Sequence, residues 1–256
     1  MADSPLLEAR SISKRYGHVT ALDGADLVVR AGEICALVGD NGAGKSTLVK
    51  ILSGVEQPDG GEILLHGNAI AVPSPSAAQD LGIATVFQDL ALAPHLSPTE
   101  NFFLGREILR RGVAGAFRFV DKRSMLAQAA MEFAELGITL KSAAVPVGAL
   151  SGGQRQSVAI ARAAKWAGKV IILDEPTAAL GVVQTDRVLR LVRTVADRGL
   201  GVVLVTHNMS HVVEVADTVQ VLRLGRRVAT FARGESTVER LVAAMTSDKN
   251  STKEAS

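Results

Sequence analysis

The stretch GDNGAGKST, residues 39–47, decides how the rest of the chain is interpreted. It fits the pattern G-x-x-x-x-G-K-[ST], follows the apolar run ICALVG at 34–39 and leads into KSTLVKILSG at 45–54, which is typical of a helix. A strand, a glycine-rich loop and a helix in this order form a phosphate-binding loop. We therefore predict that the chain binds a nucleoside triphosphate.

The residue types in this loop suit phosphate chemistry. Gly42 and Gly44 allow the backbone to turn its N–H groups toward phosphate oxygens. Lys45 supplies a positive charge near the terminal phosphates, Ser46 offers a hydroxyl to Mg²⁺, and the start of the following helix favours an anion. The other predicted nucleotide contacts in this loop are Gly39, Asn41, Ala43 and Thr47.

A second motif, VIILDEPTAAL at 170–180, carries two adjacent carboxylates. The apolar run that ends at Asp174 predicts a strand whose carboxyl end lies where ligands bind in open α/β sheets. There Asp174 would orient Mg²⁺, and Glu175 would accept a proton from an attacking water. Two acids after a strand often only cap a helix, so the catalytic interpretation depends on the phosphate loop upstream.

A third motif, LSGGQRQ at 150–156, is also glycine-rich. Ser151 and Gln154 form a capping-box pattern, which predicts a helix start. The two glycines between them cost stability, about 1 kcal/mol each in a helix interior, and this cost makes sense if a phosphate must approach the bare N–H groups. Since the loop at 39–47 already surrounds one triphosphate, this motif would complete the site of a second copy of the chain.

Composition excludes several classes of protein. Among 256 residues, 28 are Lys or Arg and 26 are Asp or Glu, a balance that gives no sign of nucleic-acid binding. No apolar run approaches the roughly 18–20 residues of a spanning helix, and the N-terminus lacks the apolar core of a signal peptide. Cys35 is the only cysteine, so we predict no disulfide framework and a buried, apolar role for it. We expect a soluble, cytoplasmic protein.

Apolar runs of strand length alternate with helical patterns, which predicts an α/β fold with a mostly parallel sheet covered on both faces. The first 30 residues alternate instead and predict an antiparallel flank. The predicted buried strands include GIATVFQ at 82–88, KVIILDE at 169–175 and GVVLVTH at 201–207, and a helix is predicted at 188–199.

Residues 89–168 are predicted to form an inserted helical subdomain. SPTE at 97–100 is a capping-box pattern, and a helix is expected to end at Gly137. We predict a single domain over 4–245, followed by a flexible polar tail at 246–256.

In their order and spacing, five features resemble those of the ATP-binding cassette (ABC) ATPases: GDNGAGKST, Gln88, LSGGQRQ, ILDEPTAAL and His207. The resemblance covers roughly residues 5–245. It implies a P-loop NTPase fold of the ABC type with ATP and Mg²⁺ as ligands. It also implies a head-to-tail homodimer in which the LSGGQRQ motif of each copy, called the signature loop below, contacts the partner's ATP.

The resemblance assigns further roles to individual residues. Tyr16 would stack on adenine, Gln88 would sense Mg²⁺ or the attacking water, and His207 would hold the γ-phosphate. The signature contacts to the partner's ATP would be Ser151, Gly152, Gly153 and Gln154. The residues around the metal would be Ser46, Gln88 and Asp174. His18, His66, His95 and His211 match no motif and receive no role.

One position departs from the family pattern. Gly181 stands where the family often has Asp, so a carboxylate contact across the dimer is missing. Glycine would preserve the turn while weakening communication between the two sites. Because Glu175 and His207 are both present, we still expect two hydrolytic sites.

The segment VFQDLALAPHLSPTENFFLGRE at 86–107 resembles monosaccharide importers of the ribose, xylose and fructose type. This resemblance implies sugar uptake through separate permease subunits, with a sugar-binding protein as an indirect partner. The chain would then lie at the cytoplasmic face of the membrane. Open alternatives are an exporter or amino-acid importer, a soluble ABC protein acting on ribosomes or DNA, and a regulatory protein that binds ATP without hydrolysing it.

Overall fold

Two β-sheets organise the computed structural model, which describes residues 4–110, 119–140 and 145–246. The strands of the described part are β1 (Leu7–Tyr16), β2 (Val19–Val29), β3 (Ile34–Val38), β4 (Gly60–Leu65), β5 (Asn68–Ile70), β6 (Ile83–Val86), β7 (Val170–Asp174), β8 (Gly201–Val205), β9 (Thr218–Arg223) and β10 (Arg226–Ala232).

The larger sheet has the strand order β10-β9-β3-β8-β7-β6. Its five strands from β9 to β6 are parallel, and β10 is an antiparallel edge. All five residues of β3 are buried, as expected for a strand covered on both faces. The predicted mostly parallel sheet is confirmed.

The smaller sheet has the order β2-β1-β4-β5, with antiparallel pairing throughout. It confirms the antiparallel flank predicted from the first 30 residues and extends it by the β4–β5 hairpin.

The helices of the described part are α1 (Lys45–Leu52), α2 (Pro75–Asp80), α3 (Pro98–Phe102), α4 (Lys122–Glu135), α5 (Gly152–Trp166), α6 (Val182–Asp197), α7 (Met209–Val215) and α8 (Val238–Thr246). None of them combines the length and hydropathy that crossing a bilayer requires.

Alternate residues of each central strand pack on opposite faces of the larger sheet. In β7, Ile171 and Leu173 join the apolar cluster that includes α5 and α6. Val170 and Ile172 join the cluster formed by α1 and the antiparallel sheet. This period-2 division explains why the strand sequences are continuously apolar. Packing on both faces holds the strands in place, and their carboxyl ends lead into polar loops.

The middle segment has helical elements where the sequence predicted them. Ser97 and Glu100 form the expected capping box of α3, and α4 ends at Glu135, two residues before Gly137. The segment's status as an inserted subdomain stays a prediction, and its residues 111–118 and 141–144 lie outside the described part. Thr246 closes α8, whereas the rest of the predicted tail lies outside the described residues.

Cys35 is fully buried in β3, as predicted. Burial and, to a lesser extent, the carboxylate of Glu33 raise the pKa of its thiol to about 12. The side chain therefore behaves as a small apolar group that resists ionisation.

Candidate active site

The loops that follow β3, β7 and β8 meet at one edge of the larger sheet. The three strands are neighbours and parallel, with Leu37 paired to Val205 and Asp174 also paired to Val205. Their carboxyl ends therefore lie side by side. This places the phosphate loop, the Asp174–Glu175 pair and His207 together, as the sequence predicted.

The phosphate loop turns sharply into α1. Gly42 and Gly44 have φ angles of 80° and 103°, in the left-handed region that glycine adopts without steric cost. A Cβ atom on Gly44 would lie 2.6 Å from the carbonyl oxygen of Ala21. No side chain caps the N-terminus of α1, so its first N–H groups remain available to an anion.

Lys45 folds back over its own loop. Its Nζ donates to the carbonyl oxygens of Gly39 at 2.6 Å and Asp40 at 2.9 Å. Burial lowers the pKa of Lys45, against the opposing effect of nearby carboxylates such as Glu175. The ammonium group is thus held at the loop mouth, where it can exchange carbonyl oxygens for phosphate oxygens.

The two acids at the carboxyl end of β7, Asp174 and Glu175, differ in their surroundings. Burial raises the pKa of Asp174, and the neighbouring charge of Glu175 raises it further, while Lys45 acts in the opposite direction. Glu175 has a φ of 51°, which is uncommon for a non-glycine residue, and its backbone N–H donates to Val205 O at 2.9 Å. A strained backbone held in this way fixes the direction of the Glu175 side chain.

Glu175 is held by the loop that follows β8. Its Oε1 accepts from the backbone N–H of His207 at 3.0 Å and lies 2.8 Å from His207 Nδ1. Its Oε2 accepts from the hydroxyl of Thr206 at 3.3 Å. The sequence indicated Glu175 and His207 separately; Thr206 was missed, although its position directly before His207 is the signal that could have identified it.

Tyr16 lies beside the start of α1. Burial raises its pKa most, the hydrogen bond that its hydroxyl donates to Glu56 raises it further, and a contact with the Thr47 hydroxyl opposes both. Glu56 is also paired with Lys50, Nζ to Oε1 at 3.2 Å. Tyr16 is 43 % exposed, and the ammonium group of Lys14 lies over its ring, 5.8 Å from the centroid. No motif pointed to Glu56.

The signature loop begins α5 as predicted. The Gln154 N–H donates to Ser151 Oγ at 3.3 Å, and the Ser151 N–H donates to Gln154 Oε1 at 3.1 Å. A Cβ atom on Gly153 would lie 2.9 Å from the Cβ of Gln184 in α6. Packing within the chain is therefore a second reason for this glycine, one that the sequence did not reveal.

The signature loop and Glu175 line different cavities of the same chain. Ser151, Gly153 and Gln154 line one of about 640 Å³, together with residues of α6. Glu175 and His207 line another, of about 500 Å³. Gln88 is exposed two residues beyond the end of β6, and within the described part of the chain no hydrogen bond joins its side chain to the signature loop or to Glu175.

Residues 22–178 match the family model described as ABC transporter. The chain belongs to the ABC transporter family. It is 51% identical over 257 residues to the fructose import ATP-binding protein FrcA of Rhizobium meliloti, covering 100% of this chain and 99% of that protein. It is 43% identical to the xylose/arabinose import ATP-binding protein XylG of Sulfolobus acidocaldarius, covering 95% of each.

The cassette is also 44% identical to the ribose import ATP-binding protein RbsA of Burkholderia pseudomallei, but it spans only 46% of that protein's length. Among solved structures, it resembles a nucleotide-free ATP-binding cassette from an ABC transporter with a TM-score of 0.79 and 24% identity, covering 96% of each chain. This structural likeness confirms the predicted ABC fold.

Proposed function

We propose that this chain is the ATP-hydrolysing subunit of a membrane importer for a monosaccharide. The observation that carries hydrolysis is the meeting of the phosphate loop, Asp174, Glu175 and His207 at one sheet edge. The observation that carries sugar import is the full-length similarity to the fructose import protein. Xylose/arabinose and ribose import proteins are similar over the same region, which supports a monosaccharide rather than another solute.

ATP would bind with its phosphates against the N-terminus of α1 and its adenine on Tyr16. The bare N–H groups of α1 and the ammonium group of Lys45 supply the positive potential that a triphosphate needs. The chemistry of the donor set fits magnesium, because the hydroxyl of Ser46 and the carboxylate of Asp174 are oxygen ligands. When bound, Mg²⁺ would neutralise charge on the phosphates. Gln88, in the loop after β6, would be a further residue around the metal.

Glu175 is the proposed general base. Its carboxylate lies at the sheet edge, within hydrogen-bond distance of His207 and Thr206. A carboxylate held in this way can accept a proton from water while its direction is kept by the two donors. His207 is 74 % exposed at the side chain, so its imidazole can also turn toward a γ-phosphate.

Two copies would complete two sites. At the start of α5 the capping box uses the N–H groups of Ser151 and Gln154, which leaves those of Gly152 and Gly153 for a phosphate. This loop lines a cavity separate from that of Glu175. A head-to-tail homodimer would bring each signature loop to the other copy's ATP. A bacterial ABC transporter cassette of this fold has been solved as a dimer, with a TM-score of 0.72 to this chain, which is consistent with the arrangement.

The transport partners would be integral permease subunits, with a sugar-binding protein acting through them. The cassette would lie at the cytoplasmic face of the membrane, and closure of the ATP-bound dimer would drive the permease. The sugar would not touch this chain, so its identity depends on those partners.

The experiment is uptake by cells from which only this chain has been deleted. Labelled fructose, xylose and ribose are supplied, alongside an amino acid as a control, and the chain or its Glu175→Gln variant is restored from a plasmid. We expect the deleted cells to lose uptake of one of the three sugars. The native chain should restore that uptake, and the Glu175→Gln variant should not. Unchanged sugar uptake with loss of amino-acid uptake would overturn the sugar assignment, and recovery by Glu175→Gln would overturn the hydrolytic role.

A further inference from the structure

We propose that His211 is a positioning residue for ATP hydrolysis: through Thr177 it holds the turn that joins the catalytic Glu175 to Gly181. The proposal rests on the ATP hydrolysis proposed above. His211 matches none of the sequence motifs, and it acts without contacting the reacting atoms.

The turn after Glu175 is strained and needs external support. Glu175 and Ala179 have φ angles of 51° and 57°, and neither is glycine. Non-glycine residues in this region cost free energy and persist only where surrounding contacts determine the conformation. Two internal hydrogen bonds, Ala178 N–H to Glu175 O and Leu180 N–H to Thr177 O, measure 3.1 and 3.3 Å.

Contacts from outside hold this turn at its two ends. At the start, the Glu175 N–H donates to Val205 O at 2.9 Å. At the end, the Gly181 N–H donates to Gln184 Oε1 at 2.8 Å, although Gly181 itself offers no side chain to stabilise the turn. The middle of the turn therefore depends on Thr177.

Thr177 is 8 % exposed, and a hydrogen bond of 3.2 Å joins its hydroxyl to Nδ1 of His211. His211 lies in α7, the helix that begins directly after His207 and Asn208. The Asn208 side chain caps this helix and accepts from the His211 N–H at 3.3 Å. His211 is thus fixed relative to His207, and its imidazole ties the helix to the turn.

The Thr177–His211 hydrogen bond completes a ring of contacts around the proposed catalytic centre. Glu175 is joined to His207 directly, and Thr177 is joined to His211, four residues later in the chain. The same four side chains line the cavity of about 500 Å³. Because one hydrogen bond ties Thr177 to α7 and another ties Glu175 to His207, just before α7, movement of α7 and movement of Glu175 are coupled.

The first test is steady-state ATP hydrolysis by Thr177→Val and His211→Leu. We expect kcat to fall about three- to tenfold in each, the scale of one lost hydrogen bond, while KM for ATP stays the same because the phosphate loop is untouched. His211→Asn, which keeps a polar atom near the position of Nδ1, should recover most of the rate. Ser210→Ala, an exposed neighbour on α7, is the matched control and should not differ from the native chain.

A double-variant cycle separates positioning from general stability. Thr177→Val/His211→Leu should be no slower than either single variant, because one interaction is removed in all three. Additive losses of kcat that follow losses of thermal stability would overturn the proposal, as would unchanged kcat in both single variants. If the native chain itself fails to hydrolyse ATP, the proposed function falls and this proposal falls with it.

Discussion

The Nδ1 atom of His207 lies 2.8 Å from Oε1 of Glu175, and the same oxygen accepts the backbone N–H of His207 at 3.0 Å. These two contacts join the loop after β7 to the loop after β8, which are adjacent because their strands pair in parallel. The carboxylate proposed to activate water is therefore fixed by a residue that is itself exposed and able to turn toward the nucleotide.

Substitution His207→Ala removes the imidazole contact but keeps the backbone donor. We expect kcat for ATP to fall about 10- to 100-fold, the scale of a hydrogen bond to a charged group, with ATP affinity little changed. The measurement is steady-state hydrolysis together with nucleotide binding by equilibrium dialysis. Native kcat in His207→Ala would show that the histidine neither positions Glu175 nor contacts the γ-phosphate.

Tyr16 is expected to control affinity for ATP. Loss of base stacking in Tyr16→Ala should weaken ATP binding by about 1–3 kcal/mol, whereas Tyr16→Phe should keep most of the affinity. The tyrosine hydroxyl is bonded to Glu56, so Glu56→Gln should have a smaller effect by loosening the ring. Titration calorimetry of the native chain and the three variants measures each effect. Equal affinity in Tyr16→Ala would place the adenine elsewhere.

Asp174 is expected to reduce the stability of the nucleotide-free protein. Its pKa is raised above the ordinary 3.8 by burial and by Glu175, so the folded state disfavours the ionised carboxylate. The cost is present at pH values above the folded-state pKa and disappears as the pH falls to the unfolded value near 3.8. Asp174→Asn should therefore raise the melting temperature at neutral pH, with a gain that shrinks toward acid, while ATP hydrolysis is lost.

Thermal melts of the native chain and Asp174→Asn between neutral pH and the acid limit of folding check this sign. A variant that melts lower than the native chain at neutral pH would contradict it, and would mean that the attraction between Asp174 and Lys45 outweighs burial.

Alanine substitutions at the two glycines of the signature loop are expected to have different effects, one on stability and the other on dimerisation. A Cβ atom on Gly153 would lie 2.9 Å from Gln184 Cβ, so Gly153→Ala should lose about 1–3 kcal/mol of stability through overpacking. A Cβ atom on Gly152 would lie 3.3 Å from Leu180 Cδ2, a contact that a small shift relieves. Gly152→Ala should therefore fold normally and weaken only the ATP-dependent dimer. Denaturant unfolding and light scattering measure the two effects, and normal dimerisation of Gly152→Ala would remove the phosphate role from this glycine.

Much of the fold followed from the sequence because its strands are buried on both faces. Continuous apolar runs such as 170–173 in β7 and 201–205 in β8 have no other simple explanation once helices separate them. The capping boxes at Ser97 and Ser151 were equally legible, since both depend on residues three positions apart.

The parts of the site that depend on local motifs could be predicted from the sequence, whereas those that depend on contacts between distant segments could not. Three hydrogen bonds depend on tertiary packing and follow no fixed spacing in the sequence. They are Tyr16–Glu56, Thr206–Glu175 and Thr177–His211. The packing of Gly153 on Gln184 was hidden for the same reason, because it requires the relative placement of α5 and α6.

The measurement that tests the central claim most directly is the mass of purified Glu175→Gln protein with and without ATP, by light scattering. Blocking the general base should trap ATP between two copies, with Ser151–Gln154 of each on the other's phosphate. We predict a monomer without ATP and a dimer with it, and no dimer when Ser151→Arg is added. A protein that binds ATP tightly but stays monomeric, or a dimer that survives Ser151→Arg, would contradict the proposed role of the signature loop.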